Sequence, residues 1–147
     1  MPGGAGLTGS TIADQVAAAG AEEVVIFDDF SRGTMANMAG VLGRPGVRLV
    51  EGDIRDTSLL REAMRWFKPQ AVIHFAAFAY VGESVTNPHI YYDNNVGSTL
   101  SILKAMTDAK VGNLIVSSTC ATYGQAEYMP ITEDTPQNPI NPYGQTK

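Results

Sequence analysis

The sequence predicts an α/β fold, a doubly wound parallel sheet with helices on both faces. Three observations predict it. Four short runs rich in Val, Ile and Phe are nearly continuous in apolar character rather than alternating, which suits parallel strands covered on both sides. Between them lie stretches whose apolar residues repeat at helical spacing. A glycine-rich loop stands directly ahead of the first such helix.

The elements follow in order. "GGAGLTGS" (Gly3 to Ser10) sets Gly3, Gly6 and Gly9 in a G-x-x-G-x-x-G spacing. Glycines there allow a tight turn and let the backbone approach a pyrophosphate, while the following helix aims its N-terminal N–H groups at negative charge. Ile12, Val16 and Ala19 mark that helix, and Gly20 is its stop signal. "EEVVIFD" (Glu22 to Asp28) is the next strand. It ends on Asp28, where a carboxylate would accept the hydroxyls of an adenosine ribose and repel a 2′-phosphate, so NAD is favoured over NADP. Arg32 reads as a solvated loop charge.

"GRPG" (Gly43 to Gly46) is a turn into the strand "VRLVEGD" (Val47 to Asp53). Asp53 could contact an adenine edge or cap the next helix; Asp56 is the better cap, which frees Asp53. Leu60, Ala63, Met64 and Phe67 line that second helix, and Pro69 closes it. In "AVIHFAA" (Ala71 to Ala77), His74 stands between Ile73 and Phe75 and reads as a core residue. Asn87-Pro88 announces a third helix, a capping side chain followed by proline at the first helical position. Its inner face is expected at Val96, Leu100, Leu103 and Met106. "NLIVSST" (Asn113 to Thr119) is the last strand, and Cys120 after it reads as a small buried hydrophobe, with no charged activator beside it in sequence.

One strand is missing from this pattern. Only Met1 and Pro2 precede the glycine loop, whereas in a dinucleotide-binding sheet that loop follows a central first strand. Two residues cannot form it, and proline cannot donate to a ladder. The expectation is therefore an incomplete Rossmann-type sheet lacking its first strand and everything after Lys147, a chain partial at both ends.

Composition bounds the function. At 147 residues, 44% hydrophobic and 17% charged, the chain has one domain's worth of ordinary globular material. A net charge of -5 offers no electrostatic reason to bind nucleic acid. No apolar run approaches the roughly 20 residues needed to span a bilayer, and a cytoplasmic compartment is the default. The single cysteine leaves no internal disulfide and no multi-cysteine metal site; no metal is expected.

The closing segment carries the chemistry. Tyr143 and Lys147, four apart, would share one face of a helix opening with "NPYG". A free tyrosine titrates near ~10 and is a poor base at neutral pH, but a nearby ammonium favours the phenolate. Thr119, at a strand end, can place a hydroxyl beside the same reacting oxygen. Such a group can take a proton from a secondary alcohol while hydride leaves for nicotinamide.

With these residues in order, the chain resembles the UDP-glucose 4-epimerases (UDP-galactose 4-epimerases) of the extended short-chain dehydrogenase/reductase superfamily. The resemblance runs along the whole chain, through "GGAGLTGS", "DDFSRG", "EGDIRD", "VIHFAAFAYVGES", "YYDNNVGSTL", "SSTCATYG", "PITEDTPQNPINPYG" and "YGQTK". It implies that Gly3, Gly6 and Gly9 wrap the NAD pyrophosphate and Asp28 holds the ribose. It implies that Asp53 and Ile54 flank adenine, that Phe75, Ala76 and Ala77 line the cofactor, and that Asn94 lies near it. Thr119 stands where many members carry serine. Tyr143 would be general base and acid, and Lys147 would bind the nicotinamide ribose and lower the tyrosine pKa.

The activity implied is reversible oxidation of a UDP-hexose at its 4-hydroxyl through a 4-keto intermediate, in a protein that is a homodimer in this family. Three departures stand out: Pro2 at the end of the first strand, Thr8 for an apolar loop residue, and Ala79 where some members carry lysine. A further domain for the uridine nucleotide would follow Lys147. A 4,6-dehydratase is disfavoured because "Thr119-Cys120-Ala121" lacks the acidic pair that such enzymes carry after the threonine. A UDP-pentose 4-epimerase fits the same motifs, and a non-catalytic remnant of the family is the alternative of another class. The 147-residue chain alone is expected to be poorly soluble and to show no turnover.

Overall fold

The computed structural model describes residues 1–147. In chain order its elements are α1 (Leu7–Ala18), β1 (Val24–Asp28), β2 (Val47–Glu51), α2 (Thr57–Phe67), β3 (Ala71–His74), α3 (Val81–Thr86), α4 (Pro88–Tyr91), α5 (Ser98–Ala109), β4 (Asn113–Val116) and α6 (Pro142–Gln145). A π-helical segment (Tyr92–Gly97) joins α4 to α5, and a 3-10 turn lies at Cys120–Tyr123. The chain forms two compact units, Met1–Ala76 with Ser98–Val116 and Ala77–Gly97 with Ser117–Lys147.

The first unit bears out the α/β expectation. All four predicted strands form, and they pair in parallel, β1 with β2 (Val24 opposite Val47) and β3 with β4 (Ala71 opposite Asn113). Successive residues of β1 face opposite sides, as the two-residue period of a strand requires. Val24 and Ile26 enter a core with Ala5, Ala13, Met38, Val41 and Val47. Phe27 enters another, with Leu60 and Met64 of α2 and Ile102, Ala105 and Met106 of α5. Helices therefore cover both faces of this strand.

The residues ahead of the glycine loop do what a strand's tip would do. Phe27 N–H donates to Met1 C=O (3.1 Å) and Gly3 N–H to Phe27 C=O (3.0 Å). On the other side, Phe75 and Ala76 N–H both reach Pro2 C=O, at 2.8 and 3.1 Å. Pro2 makes a single parallel bridge, so the sheet divides into two two-stranded parts in the order β2-β1 and β3-β4. Beside this bridge a cavity of about 400 Å³ opens between β1 and β3, walled by Val16 of α1 and by Leu60, Ala63, Met64 and Phe67 of α2. The Met1 ammonium lines it, donates to Val25 C=O, and is pushed down to about 5 by burial.

The first two helices match their signals. α1 is followed by Gly20 at φ +93°. α2 is capped by Asp56, whose carboxylate accepts from Ser58 and Leu59 N–H at 3.0 and 3.1 Å, and it ends in a left-handed Lys68 before Pro69. The third helix departs from expectation. Pro88 does occupy its first turn, but the Asn87 side chain makes no cap bond. Of the expected inner face only Met106 is buried, while Val96, Leu100 and Leu103 are exposed. Tyr91, Asn95, Ser98, Ile102 and Ala105 are buried instead. Both sets recur at helical spacing, and the packing of α5 on α2 decides between them, because Ile102, Ala105 and Met106 are the side chains that meet Leu60 and Met64. β4 also departs from expectation, since Ile115 and Val116 are exposed rather than covered.

No helix is long and apolar enough to cross a membrane.

Candidate active site

In the first unit, the glycine loop and Asp28 form one device. Gly3 has φ +79°, and a Cβ there would lie 2.3 Å from Ala76 N, so this turn admits only glycine. A Cβ on Gly9 would lie 2.1 Å from Gly3 O, which lets the first turn of α1 press onto the loop. Gly6 is the N-cap of α1, and no side chain caps the helix there. Its own Cβ position is open, with Gly3 O at 3.4 Å as the nearest neighbour. The first N–H groups of α1 thus lack a side-chain acceptor and face a surface that no Cβ obstructs, which fits a dinucleotide pyrophosphate.

Asp28 is buried, and both its oxygens serve the loops: Oδ2 accepts from Ala5 N–H and Oδ1 from Phe30 N–H, each at 2.9 Å. A carboxylate has about four acceptor sites, so a ribose hydroxyl can still be accommodated. The carboxylate also ties the glycine loop to the end of β1, a role that the sequence did not suggest.

Asp53 is held by Arg55, with Nη2 to Oδ2 at 2.7 Å, and that bond lowers its pKa below the usual carboxylate range. Its cap role is indeed taken by Asp56. Ile54 is buried in the core with Phe27 and Leu60, so its backbone is what it can offer an adenine ring. Phe75 and Ala76 have committed their N–H groups to Pro2. His74 is buried with Nε2 3.3 Å from Thr99 Oγ1, the core histidine expected.

In the second unit, Thr119, Tyr143 and Lys147 lie on neighbouring elements. Thr119 is the N-cap of the 3-10 turn, its Oγ1 accepting from Ala121 N–H at 3.2 Å. α6 packs against that turn because Gly144 has no side chain; a Cβ there would stand 2.5 Å from Ala121 O. Asn141 caps α6 through Gly144 N–H (2.8 Å), and Pro142 follows at its first position. Ser118 Oγ reaches Lys147 C=O at 3.4 Å, so the chain beside Thr119 also meets the lysine.

In the last residues described, Lys147 N–H turns back to Gly144 O at 3.4 Å. The Tyr143 carbonyl is taken by Thr146, through its N–H (3.1 Å) and its Oγ1 (2.9 Å). Burial lowers the Lys147 pKa from the ordinary lysine value.

Sequence reasoning passed over Asn95 and Thr146. Asn95 is buried; its Oδ1 accepts from Phe78 N–H (2.8 Å), and its Nδ2 donates to Phe78 C=O (3.1 Å) and to Thr146 Oγ1 (3.0 Å). Asn94 beside it is half-buried and donates to Asn95 Oδ1 at 3.1 Å. The signal available was a pair of asparagines inside a helical stretch, where the side chain competes with the backbone and needs a reason to be kept. Ala77 belongs to this unit too. Cys120 is exposed, not buried as expected, at the first position of the 3-10 turn that follows Thr119 and ends the extended run.

The family model described as GDP-mannose 4,6 dehydratase matches residues 1–147. A UDP-glucose 4-epimerase of Streptomyces lividans is 45% identical over 148 residues, which cover 100% of this chain and 43% of that protein. The crystal structure of UDP-glucose 4-epimerase from Brucella ovis in complex with NAD is 48% identical, with a TM-score of 0.90 over 99% of this chain and 42% of that one. That of UDP-glucose-4-epimerase from Stenotrophomonas maltophila, with bound NAD and formylated UDP-arabinopyranose, is 34% identical with a TM-score of 0.92, over 99% of this chain and 44% of that one. The chain thus spans less than half the length of these relatives.

Proposed function

We propose, for a chain that belongs to the GDP-mannose 4,6 dehydratase family, that it is the NAD-binding and proton-transferring portion of a UDP-hexose 4-epimerase acting on UDP-glucose and UDP-galactose. The observation that carries this reading is the seating of α6, the helix that bears Tyr143, on the turn that Thr119 caps, made possible by Gly144. The epimerase names of the relatives, and the NAD in two of the solved structures, support it.

NAD, when bound, supplies a hydride acceptor that returns what it takes. The chain's own residues do the rest. The unblocked N-terminus of α1 receives the pyrophosphate, and Asp28 receives the adenosine ribose. Tyr143 Oη takes the proton from the sugar 4-hydroxyl and later gives it back, as general base and then acid. Thr119 Oγ1 holds the same oxygen. Lys147, whose burial lowers its pKa from the ordinary lysine value, is assigned to the nicotinamide ribose. The sugar is a 4-keto species only between the two proton transfers; it turns over while bound, and return of hydride to its other face inverts the carbon.

A UDP-pentose substrate is the second reading, favoured by the arabinopyranose nucleotide in one of the similar structures. The uridine nucleotide is assigned to a further domain outside these residues. Exposed Leu100 and Leu103 on α5 support a homodimer, the net charge of -5 gives no electrostatic reason for a nucleic-acid partner, and a cytoplasmic role in galactose metabolism is what the epimerase reading entails.

The test joins the chain to the flanking portions of the Streptomyces lividans relative. The chimera should interconvert UDP-glucose and UDP-galactose, and Tyr143→Phe should lower kcat by about 10²-fold or more. A chimera that folds and binds no NAD+, or that keeps full activity as Tyr143→Phe, would overturn the reading. Turnover by the 147-residue chain alone would overturn the division between this portion and a separate nucleotide domain.

A further inference from the structure

Tyr91 is the largest side chain that the fold buries completely, and nothing in the reaction above uses it. Its ring meets the Tyr143 ring edge to face, with centroids 6.3 Å apart and planes at 73°. A second ring, Phe78, closes on it at 5.9 Å and 69°. At the other end, the Tyr91 hydroxyl is fixed from three directions. Tyr80 N–H donates to it at 3.0 Å, and it lies 2.7 Å from Glu83 Oε2 and 2.8 Å from Tyr80 C=O. A phenol has one hydrogen to give, and the carboxylate is the stronger acceptor, so the bond to Glu83 is charge-assisted.

This combination is specific. A buried tyrosine needs a partner for its hydroxyl, but one would suffice. Here the hydroxyl is tied to α3 and its N-cap residue, and α3 packs against α6, the helix that bears Tyr143. The backbone of Tyr143 is fixed by the Asn141 cap and by Thr146, yet its ring still has two torsions to settle. An edge-to-face neighbour that cannot itself move restricts both.

We propose that Tyr91 is a positioning residue, pinned through its hydroxyl by Glu83 and Tyr80, that holds the Tyr143 ring at the angle from which its phenol oxygen works. The proposal rests on Tyr143 being the acid/base group. Its physical weight lies in the steep dependence of proton transfer on placement, where a displacement of about 1 Å costs on the order of 10²-fold in rate.

The test is tyrosine-labelled NMR on the full-length chimera described above, read together with the pH profile of its kcat, with the Tyr143 signals assigned by their loss in Tyr143→Phe. Tyr91→Leu should erase the ring-current displacement of the Tyr143 protons, and Tyr91→Phe, which keeps the ring, should restore most of it. Glu83→Gln should broaden the Tyr143 signals although it alters no aromatic ring. Identical Tyr143 signals in the parent chimera and in Tyr91→Leu would overturn the proposal. If that variant fails to fold, unchanged signals in Glu83→Gln would do so. NAD+ uptake is read in the same samples. Unmoved signals with uptake intact overturn only the positioning role, whereas a full Tyr143 response without uptake supports that role and overturns the function.

Discussion

Gly144 shows how much one missing side chain can decide. Because a Cβ there would meet the Ala121 carbonyl at 2.5 Å, Gly144→Ala must move α6 away from the turn that Thr119 caps. The strain expected is about 1–3 kcal/mol, seen as a fall in denaturation midpoint. Gly9→Ala tests the other unit in the same manner, since its Cβ would collide with Gly3 O at 2.1 Å; NAD+ uptake measured by titration should be lost. Sequence legibility was uneven at this scale. His74 was recognisable as a core residue from its apolar neighbours, whereas Cys120 was misjudged because its exposure depends on a turn formed by residues after it.

Elements are governed by their ends. Asp56 caps α2 with two bonds, and Asp56→Ala should cost ~1 kcal/mol, readable as a lower melting temperature. Thr146→Val removes the hydroxyl that donates to Tyr143 C=O and one of the two acceptors of the buried Asn95 amide, which keeps its bond to Phe78 C=O. A cost of about 1–3 kcal/mol is expected by chemical denaturation.

The strand tip formed by Met1 makes a pH prediction for the polypeptide that starts there. The folded chain holds the Met1 proton only below about 5, against 8.0 for the free group. The unfolded chain therefore binds more protons between these values, so stability rises with pH from about 5 to 8 and levels off above. The three-unit difference corresponds to at most about 4 kcal/mol. Urea midpoints that stay flat across that window, or fall, would refute the buried ammonium.

The whole molecule turns on the space between β1 and β3. Residues Met1–Gly3 bridge the two sheet portions at one end, and the cavity of about 400 Å³ continues along their facing edges. Backbone bonds of Val24 and Asp28 point to the β2 side, so alternation turns Val25 towards this cavity. Placing five strand-forming apolar residues ahead of Met1 should fill it and replace the buried amine with a peptide bond. A higher melting temperature is expected at about pH 9, where the Met1 amine carries no penalty and the gain comes from apolar burial, and no rise there would mean that the cavity does not accept a strand.

Strand positions, parallel pairing, the first two helices and the order of glycine loop, Asp28, Thr119, Tyr143 and Lys147 were all legible in the sequence. These depend on local physics: apolar continuity, cap residues and proline, each acting within a few neighbours. What the tertiary structure alone decided depends on contacts between distant residues. α5 buried Ile102 and Ala105 against α2 instead of Leu100 and Leu103, Asn95 met Thr146, and Tyr91 came to rest against Tyr143. No local pattern encodes such contacts, because each exists only once remote parts of the chain have met.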